Sequence, residues 1–194
     1  IQIYAYIFTN LETQQGYKIL FTKLFKHLGN AAQQPVQFGH IHGGDSCIHA
    51  VTVDMCMKQA PGFGDFLHDL DPSKTWSEHL QHTVIFCQTH VQRNFFKKFK
   101  LHPARYLIDT IWDLPDTRDV VEHLDTIAQL YPKLKKWIDS KKKDWILAGL
   151  SAEHSCIPMT WQIYTWKYTG ISKSSYFADN EFIRYKQILL AAVL

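Results

Sequence analysis

The sequence predicts an α/β core followed by a helical extension. Short segments rich in β-branched and aromatic residues alternate with segments of helical periodicity as far as residue 100, and beyond it helical periodicity continues alone. No internal repeat occurs in the 194 residues, and no linker is long enough to separate a second domain, so the elements belong to one packed unit. With 46% hydrophobic and 14% aromatic residues against 9 Gly and 7 Pro, the chain can bury a core and is neither disordered nor collagen-like.

Residues 1–8, with Ile1, Ile3 and Ile7 in alternation, read as a strand. Thr9 or Asn10 caps the following helix over residues 16–28. Its apolar stripe is Tyr17, Leu20, Phe21, Leu24, Phe25 and Leu28, with Lys18, Lys23 and Lys26 outside it. Gly29-Asn30 supplies the stop. Residues 36–41 form a second strand between Pro35 and Gly43-Gly44. Residues 47–57 read as a helix, which Pro61-Gly62 breaks. Residues 83–87 are a third strand, and residues 90–99 a helix ending in Lys97, Lys98 and Lys100. Three or four helices fill residues 103–150, among them 119–131 and 132–141, and the Lys141-Lys142-Lys143 run is a solvated helix end. Pro158 marks another break, and residues 180–194 form a last helix.

A net charge of +3 permits a phosphate-facing patch without demanding one. Eleven histidines make that balance sensitive to pH. Cys47, Cys56, Cys87 and Cys156 show no Cys-x-x-Cys spacing and read as reduced thiols of an intracellular protein. No run approaches 18 apolar residues, which excludes a transmembrane helix and a membrane partner of that kind. The opening Ile-Gln-Ile-Tyr carries no charged region ahead of an apolar run, so no signal peptide is read. A chain that starts mid-strand looks like a piece of something longer.

Three segments bear chemistry. In the first, His40-Ile41-His42 before Gly43-Gly44-Asp45, residues two apart on a strand share a face, and two imidazoles there suit a metal such as zinc. A polar strand end and a turn account for the same residues. In the second, Cys87 and His90 stand three apart at a strand-to-helix junction, with Arg93-Asn94 behind them. Sulfur and nitrogen both suit Zn²⁺, but the pair supplies two ligands of four, and His40 or His42, or else His154 and Cys156, must complete the site. The third is the polar segment 167–175, with Asp179, Asn180 and Glu181 beyond it. Gly62-Phe63-Gly64-Asp65 does not join a strand to a helix and is set aside as a dinucleotide loop. No P-loop, nucleophile elbow or His-Glu-x-x-His occurs. The basic runs near Lys97, Lys135 and Lys142 are interleaved with Phe96, Phe99, Trp137 and Trp145. That mixture grips phosphates and stacks bases, and it is equally an ordinary amphipathic helix surface.

In order, four stretches resemble the transposase domain of Mutator-like elements in a form frequent among fungal transposon-derived proteins. They are Asn10-Leu11-Glu12-Thr13 leading to Phe21-Thr22-Lys23-Leu24-Phe25; residues 36–43; the Cys87-x-x-His90-x-x-Arg93-Asn94 block; and residues 144–156 with 169–175. The resemblance implies a partial RNase H-like core of about three strands over 1–100, a helical insertion over 101–165 and a C-terminal helix over 166–194 returning to the core. It also implies three acidic residues holding two Mg²⁺ or Mn²⁺ ions for phosphoryl transfer.

The chain departs from that pattern at each acidic position. The first Asp falls upstream of Ile1; His40-Ile41-His42 stands where the second belongs; and Lys173 stands where the Glu belongs, a positive charge where a cation should bind. Asp45 and Glu181 are the substitutes on offer. The expectation is therefore a transposase remnant without strand-transfer activity, binding DNA weakly through Arg93, Lys97, Lys98, Lys100, Lys141, Lys142 and Lys143. Two alternatives stand beside it: a surviving nuclease using Asp45, Asp54 and Glu181 with Mg²⁺ or Mn²⁺, and a zinc-stabilised interaction module on His42, Cys87, His90 and a fourth ligand such as His40. A transposase origin implies a nuclear location, and loss of the upstream strands implies self-association through the apolar edge of residues 1–8.

Overall fold

The computed structural model describes residues 11–114 and 119–165. The expectations for residues 1–8, 166–175 and 179–194, including Lys173, Glu181 and the edge strand, lie outside the described residues.

Helix α1 (Gln14–Ala32) starts at Thr13, whose hydroxyl accepts the Gly16 N–H at 3.0 Å. The cap is therefore three residues beyond Asn10, at the residue that can reach an orphan N–H of the first turn. Nor does Gly29-Asn30 end it. The helix runs on to Ala32 and closes at Gln33 in the left-handed conformation, φ 55°. Gly29 eases a different contact: a Cβ there would stand a tight 3.1 Å from the Gln34 carbonyl, where the chain doubles back.

The strand expected over residues 36–41 is not formed. Phe38 makes one isolated parallel bridge with Ile48, and Gly39–His42 then wind into a single turn, α2. Phe38 drives this: its ring is completely buried, edge-on to Phe25 at 5.1 Å, and its carbonyl accepts the His42 N–H at 2.8 Å. The helix expected over residues 47–57 is also absent. Its centre is instead strand β1 (Val51–Val53), as three successive residues of high β propensity favour. Pro61-Gly62, expected to break a helix, lies in the first turn of one, α3 (Gln59–Leu70), where the missing proline N–H costs nothing.

Helix α4 (Trp76–Gln81) follows, opened by a capping box in which Thr75 and Glu78 satisfy each other's backbone N–H groups. Strand β2 (Val84–Phe86) is a strand as expected. It is buried along its whole length and pairs in parallel with β1, Val51 opposite Val84 and Val53 opposite Phe86. Helix α5 (Gln88–Phe99) leaves directly from β2.

Beyond α5 the described chain is helical: α6 (Arg105–Asp109), a 3₁₀ turn at Thr110–Asp113, α7 (Val120–Leu130) capped by Asp119, a 3₁₀ turn at Pro132–Leu134, α8 (Lys135–Asp139), α9 (Asp144–Leu150) and α10 (Met159–Thr165). The structure is thus mixed helix and strand, predominantly helical, with two parallel strands among the described residues. No helix of the described residues is long and apolar enough to cross a membrane.

Two apolar clusters meet at α5 and α9. The first gathers Phe21, Phe25, Phe38, Phe63 and Phe66 with Val84, Phe86 and Val91; the second gathers Phe95, Ile108, Leu124, Ile127, Leu134 and Ile138. Helix α9 serves both, giving Trp145, Ile146 and Leu150 to the first and Leu147 to the second. The two glycines set aside as a dinucleotide loop let α3 approach its neighbours. A Cβ on Gly62 would lie 2.5 Å from the Gln14 carbonyl and 2.7 Å from Tyr17 Cβ, and one on Gly64 would lie 2.5 Å from the Trp76 carbonyl. Backbone oxygens cannot swing aside, so α3 must shift away from α1 to accept a methyl group. Gly62→Ala is expected to lower stability by about 1–3 kcal/mol, read as a lower urea midpoint with unchanged slope.

Candidate functional site

Asp54 follows β1 directly, at the carboxyl end of the parallel pair, the end at which open α/β sheets bind ligands. Cys87 follows β2 and occupies the N-cap position of α5, and the first turn of α5 carries His90 back to the neighbouring strand end. There His90 Nδ1 lies 2.7 Å from Asp54 Oδ1. One turn further on, Asn94 donates from Nδ2 to the Met55 carbonyl at 3.3 Å. Asn94 therefore ties α5 to the end of β1, and His90 sits beside Asp54, its Nδ1 buried without a well-directed hydrogen bond.

The four proposed zinc ligands are not brought together. His40 and His42 sit on the helical turn α2, where residues two apart point about 200° from each other rather than sharing a face. His42 Nδ1 accepts the Phe38 N–H at 3.0 Å, His40 faces α4, and His90 is engaged by Asp54. Cys87 is buried, and all four cysteines are free thiols. Among the described residues, the three metal-ligating side chains whose donor atoms fall within 4.8 Å of one another are instead Asp119, Glu153 and His154, on the surface. Cys156, the other alternative ligand, is exposed and not in that group. Asp45 is exposed in the bend after Gly43-Gly44, and among the described residues neither it nor Asp54 belongs to a group of three such ligands.

The basic runs do come together. Residues 97–100 and 141–143, far apart in sequence, meet across the Phe99–Trp137 ring pair, whose centroids are 6.1 Å apart. Lys98 Nζ stands 5.4 Å from the Phe99 centroid and Lys141 Nζ 5.0 Å from the Trp137 centroid. Burial of Lys141, together with Lys98 and Lys143 close by, lowers its ammonium from the ordinary 10.5 to about 8. The run at 141–143 is thus not simply a solvated helix end. Lys142 is committed to Asp125 in an ion pair, and Lys143 is exposed at the N-cap of α9. Arg93, Lys97, Lys98 and Lys100 lie on or just beyond α5, on the outside of the helix. Arg105, which sequence reasoning misses, joins them, with its guanidinium carbon 5.1 Å from the Phe96 centroid.

Sequence reasoning also misses a second cluster. His40 of α2 lies between His79 of α4 and His82 at the C-cap of that helix, its ring parallel to that of His82 with centroids 5.5 Å apart. His79 is completely buried, and its Nε2 donates to the Asp71 carbonyl at 2.8 Å. A carbonyl only accepts, so Nε2 carries a hydrogen, and in the neutral ring Nδ1 is then an acceptor. His40 Nε2–H therefore donates to His79 Nδ1 at 2.9 Å, and the Thr83 hydroxyl donates to His40 Nδ1 at 3.1 Å. The whole chain of bonds runs one way, from Thr83 to Asp71. Burial, then the nearby His79, His82 and Lys74, lower His40 from its ordinary 6.5 to about 3, with Asp71 opposing weakly. The signal available in the sequence is His79 and His82 three apart at the end of one helix, immediately before Thr83.

No protein-family model, curated protein or solved structure matches the chain.

In the unfolded chain the His40 imidazole takes a proton near pH 6.5, but in the folded chain only near 3. The unfolded state therefore binds more protons between these values, and stability falls as pH drops through that window. Because the ring is partly exposed, the expected loss from neutrality to pH 4 is about 1–2 kcal/mol rather than the full linkage value. Urea titrations at pH 4, 5, 6 and 7 read it directly, and His40→Gln should flatten the slope.

Proposed function

We propose that the chain is a transposase-derived domain with an RNase H-like core that holds nucleic acid by its phosphates without cleaving it. One observation carries the binding half of this reading: Lys98, Lys141 and Lys143 converge from two separate segments on a ring-lined surface. Burial is the larger cause of the lowered Lys141, and the neighbouring Lys98 and Lys143 are the rest of it. Ammonium groups held together in this way repel one another until an anion neutralises them, and a polyanion does so. Its binding releases condensed counterions, so the affinity is sensitive to salt and indifferent to base sequence.

Support for the transposase origin is the order of elements around the Cys87-x-x-His90-x-x-Arg93-Asn94 block. The block follows a parallel strand, and its histidine reaches the carboxylate at the end of the neighbouring strand. On this reading Asp54, rather than His40-Ile41-His42 or Asp45, stands at the second acidic position of the resemblance. A carboxylate pairing with an imidazole is a poor share of a two-cation site, and the resemblance puts Lys173 where the glutamate belongs. Both favour binding over cleavage. The second reading, a Mg²⁺- or Mn²⁺-dependent nuclease, is favoured by the placement of Asp54 alone.

Titration of a labelled 20-base-pair duplex by fluorescence anisotropy between 50 and 300 mM salt tests the proposal. Affinity should fall steeply with salt, and Lys98→Ala/Lys141→Ala/Lys143→Ala should reduce the log–log slope by about 2–3. No binding at 50 mM salt would end it. Bound phosphate favours the charged form of Lys141, so affinity should also weaken as pH rises through about 8, and Lys141→Ala should remove that dependence. Supercoiled plasmid should remain intact with Mn²⁺, and nicking abolished by Asp54→Asn would install the second reading instead.

A further inference from the structure

The solvent face of α5 and the segment after it carry apolar groups that phosphate binding does not explain. Arg93, Phe96 and Lys97 lie three or four residues apart along one side of α5, opposite the buried Val91 and Phe95, and Lys100 follows directly after the helix. Phe96 is 42% exposed in the midst of them. Leu101, directly after the helix, is 84% exposed, and Tyr106, in the first turn of α6, is 63% exposed. Arg105 links the two helices, its guanidinium carbon 5.1 Å from the Phe96 centroid and its Nε 3.7 Å from Asp109 Oδ2. Two exposed rings, Phe96 and Tyr106, thus stand among four cations, Arg93, Lys97, Lys100 and Arg105.

A duplex and a single strand make different demands of such a surface. Both present phosphates to the cations, but in a duplex the base faces are stacked inside and only the backbone and groove edges are offered. A single strand also offers the base faces, and every base has one to lay on an aromatic ring, whatever the sequence. Exposed rings spaced among cations therefore gain little from a duplex and much from a single strand, and Arg105 over Phe96 adds the guanidinium plane on which bases also stack.

We infer that the α5–α6 face is a single-strand nucleic-acid binding surface on which Phe96 and Tyr106 stack bases while Arg93, Lys97, Lys100 and Arg105 hold the flanking phosphates. This rests on the reading of the chain as a phosphate binder above, adds a second set of cations beside Lys98, Lys141 and Lys143, and names the class of substrate. Base sequence plays no role, and the 2′-hydroxyl is not read, since the groups invoked are rings and cations.

The test uses the full chain with labelled (dT)20, (rU)20 and a 20-base-pair duplex, each titrated at several salt concentrations. At matched salt both single strands are expected to bind about tenfold or more tighter than the duplex. Phe96→Ala and Tyr106→Ala should each weaken (dT)20 and (rU)20 about tenfold, while leaving the duplex affinity within about twofold and the salt slope unchanged. Phe96→Trp should restore or strengthen single-strand binding, which a merely structural role for the side chain does not predict. Equal loss on duplex and single strand, or no loss on either, overturns the inference while leaving phosphate binding in place. Absence of binding to all three probes removes both.

Discussion

Strand β2 is closed in on every side, and that enclosure fixes the positions of everything chemically interesting. Val84, Ile85 and Phe86 are all buried, as fits a strand of a parallel pair covered on its faces. Phe86 lies so close to Gly149 of α9 that a Cβ there would fall 2.5 Å from the ring, and Trp145 meets the same ring edge-on at 5.9 Å. With β2 held in one register against β1, the two strand ends fall side by side. Asp54 then meets His90, α5 departs in one direction only, and the Lys97–Lys100 run is carried towards Trp137 and Lys141. A slip of one residue in this pairing would turn Phe86 away from Gly149 and undo the rest.

What is legible in the sequence follows from how local each signal is. Strand β2 and helix α5 are readable because an unbroken apolar run gives way to a clear 3.6-residue period, and α7 because Asp119 caps it immediately before an apolar stripe. Residues 36–41 mislead because a short run such as Val36 to Ile41 has no period of its own. Burial of Phe38 among Phe25, Phe63 and Phe66 decides its conformation, and those partners come from distant segments. Val51-Thr52-Val53 carries a strand signal that a helix over 47–57 ignores, and Pro61 looks like a terminator when its position in a first turn makes it a beginning.

The candidate sites divide the same way. The Cys87-x-x-His90 pair is visible as spacing, but the carboxylate that claims His90 belongs to another strand, and only the parallel register supplies it. The basic runs are visible as composition, whereas their convergence depends on the second core, which sets Trp137 against Phe95 and Phe99. The His40–His79–Thr83 bonds are invisible for a further reason. They require α2 to be a turn, and the sequence presents it as a strand.

Helix α9 gives the molecule a direction in time as well as in space. Its Trp145, Ile146 and Leu150 complete the core built around β1, β2 and α3, although the ribosome makes them only after the whole helical segment that follows α5. Until α9 emerges, Phe86 and Trp76 have no Trp145 to meet, and the nascent front core carries an open apolar face. A chain stopped before residue 145 therefore lacks the side chains that close the first core, and co-translational folding is expected to complete only after α9 has emerged.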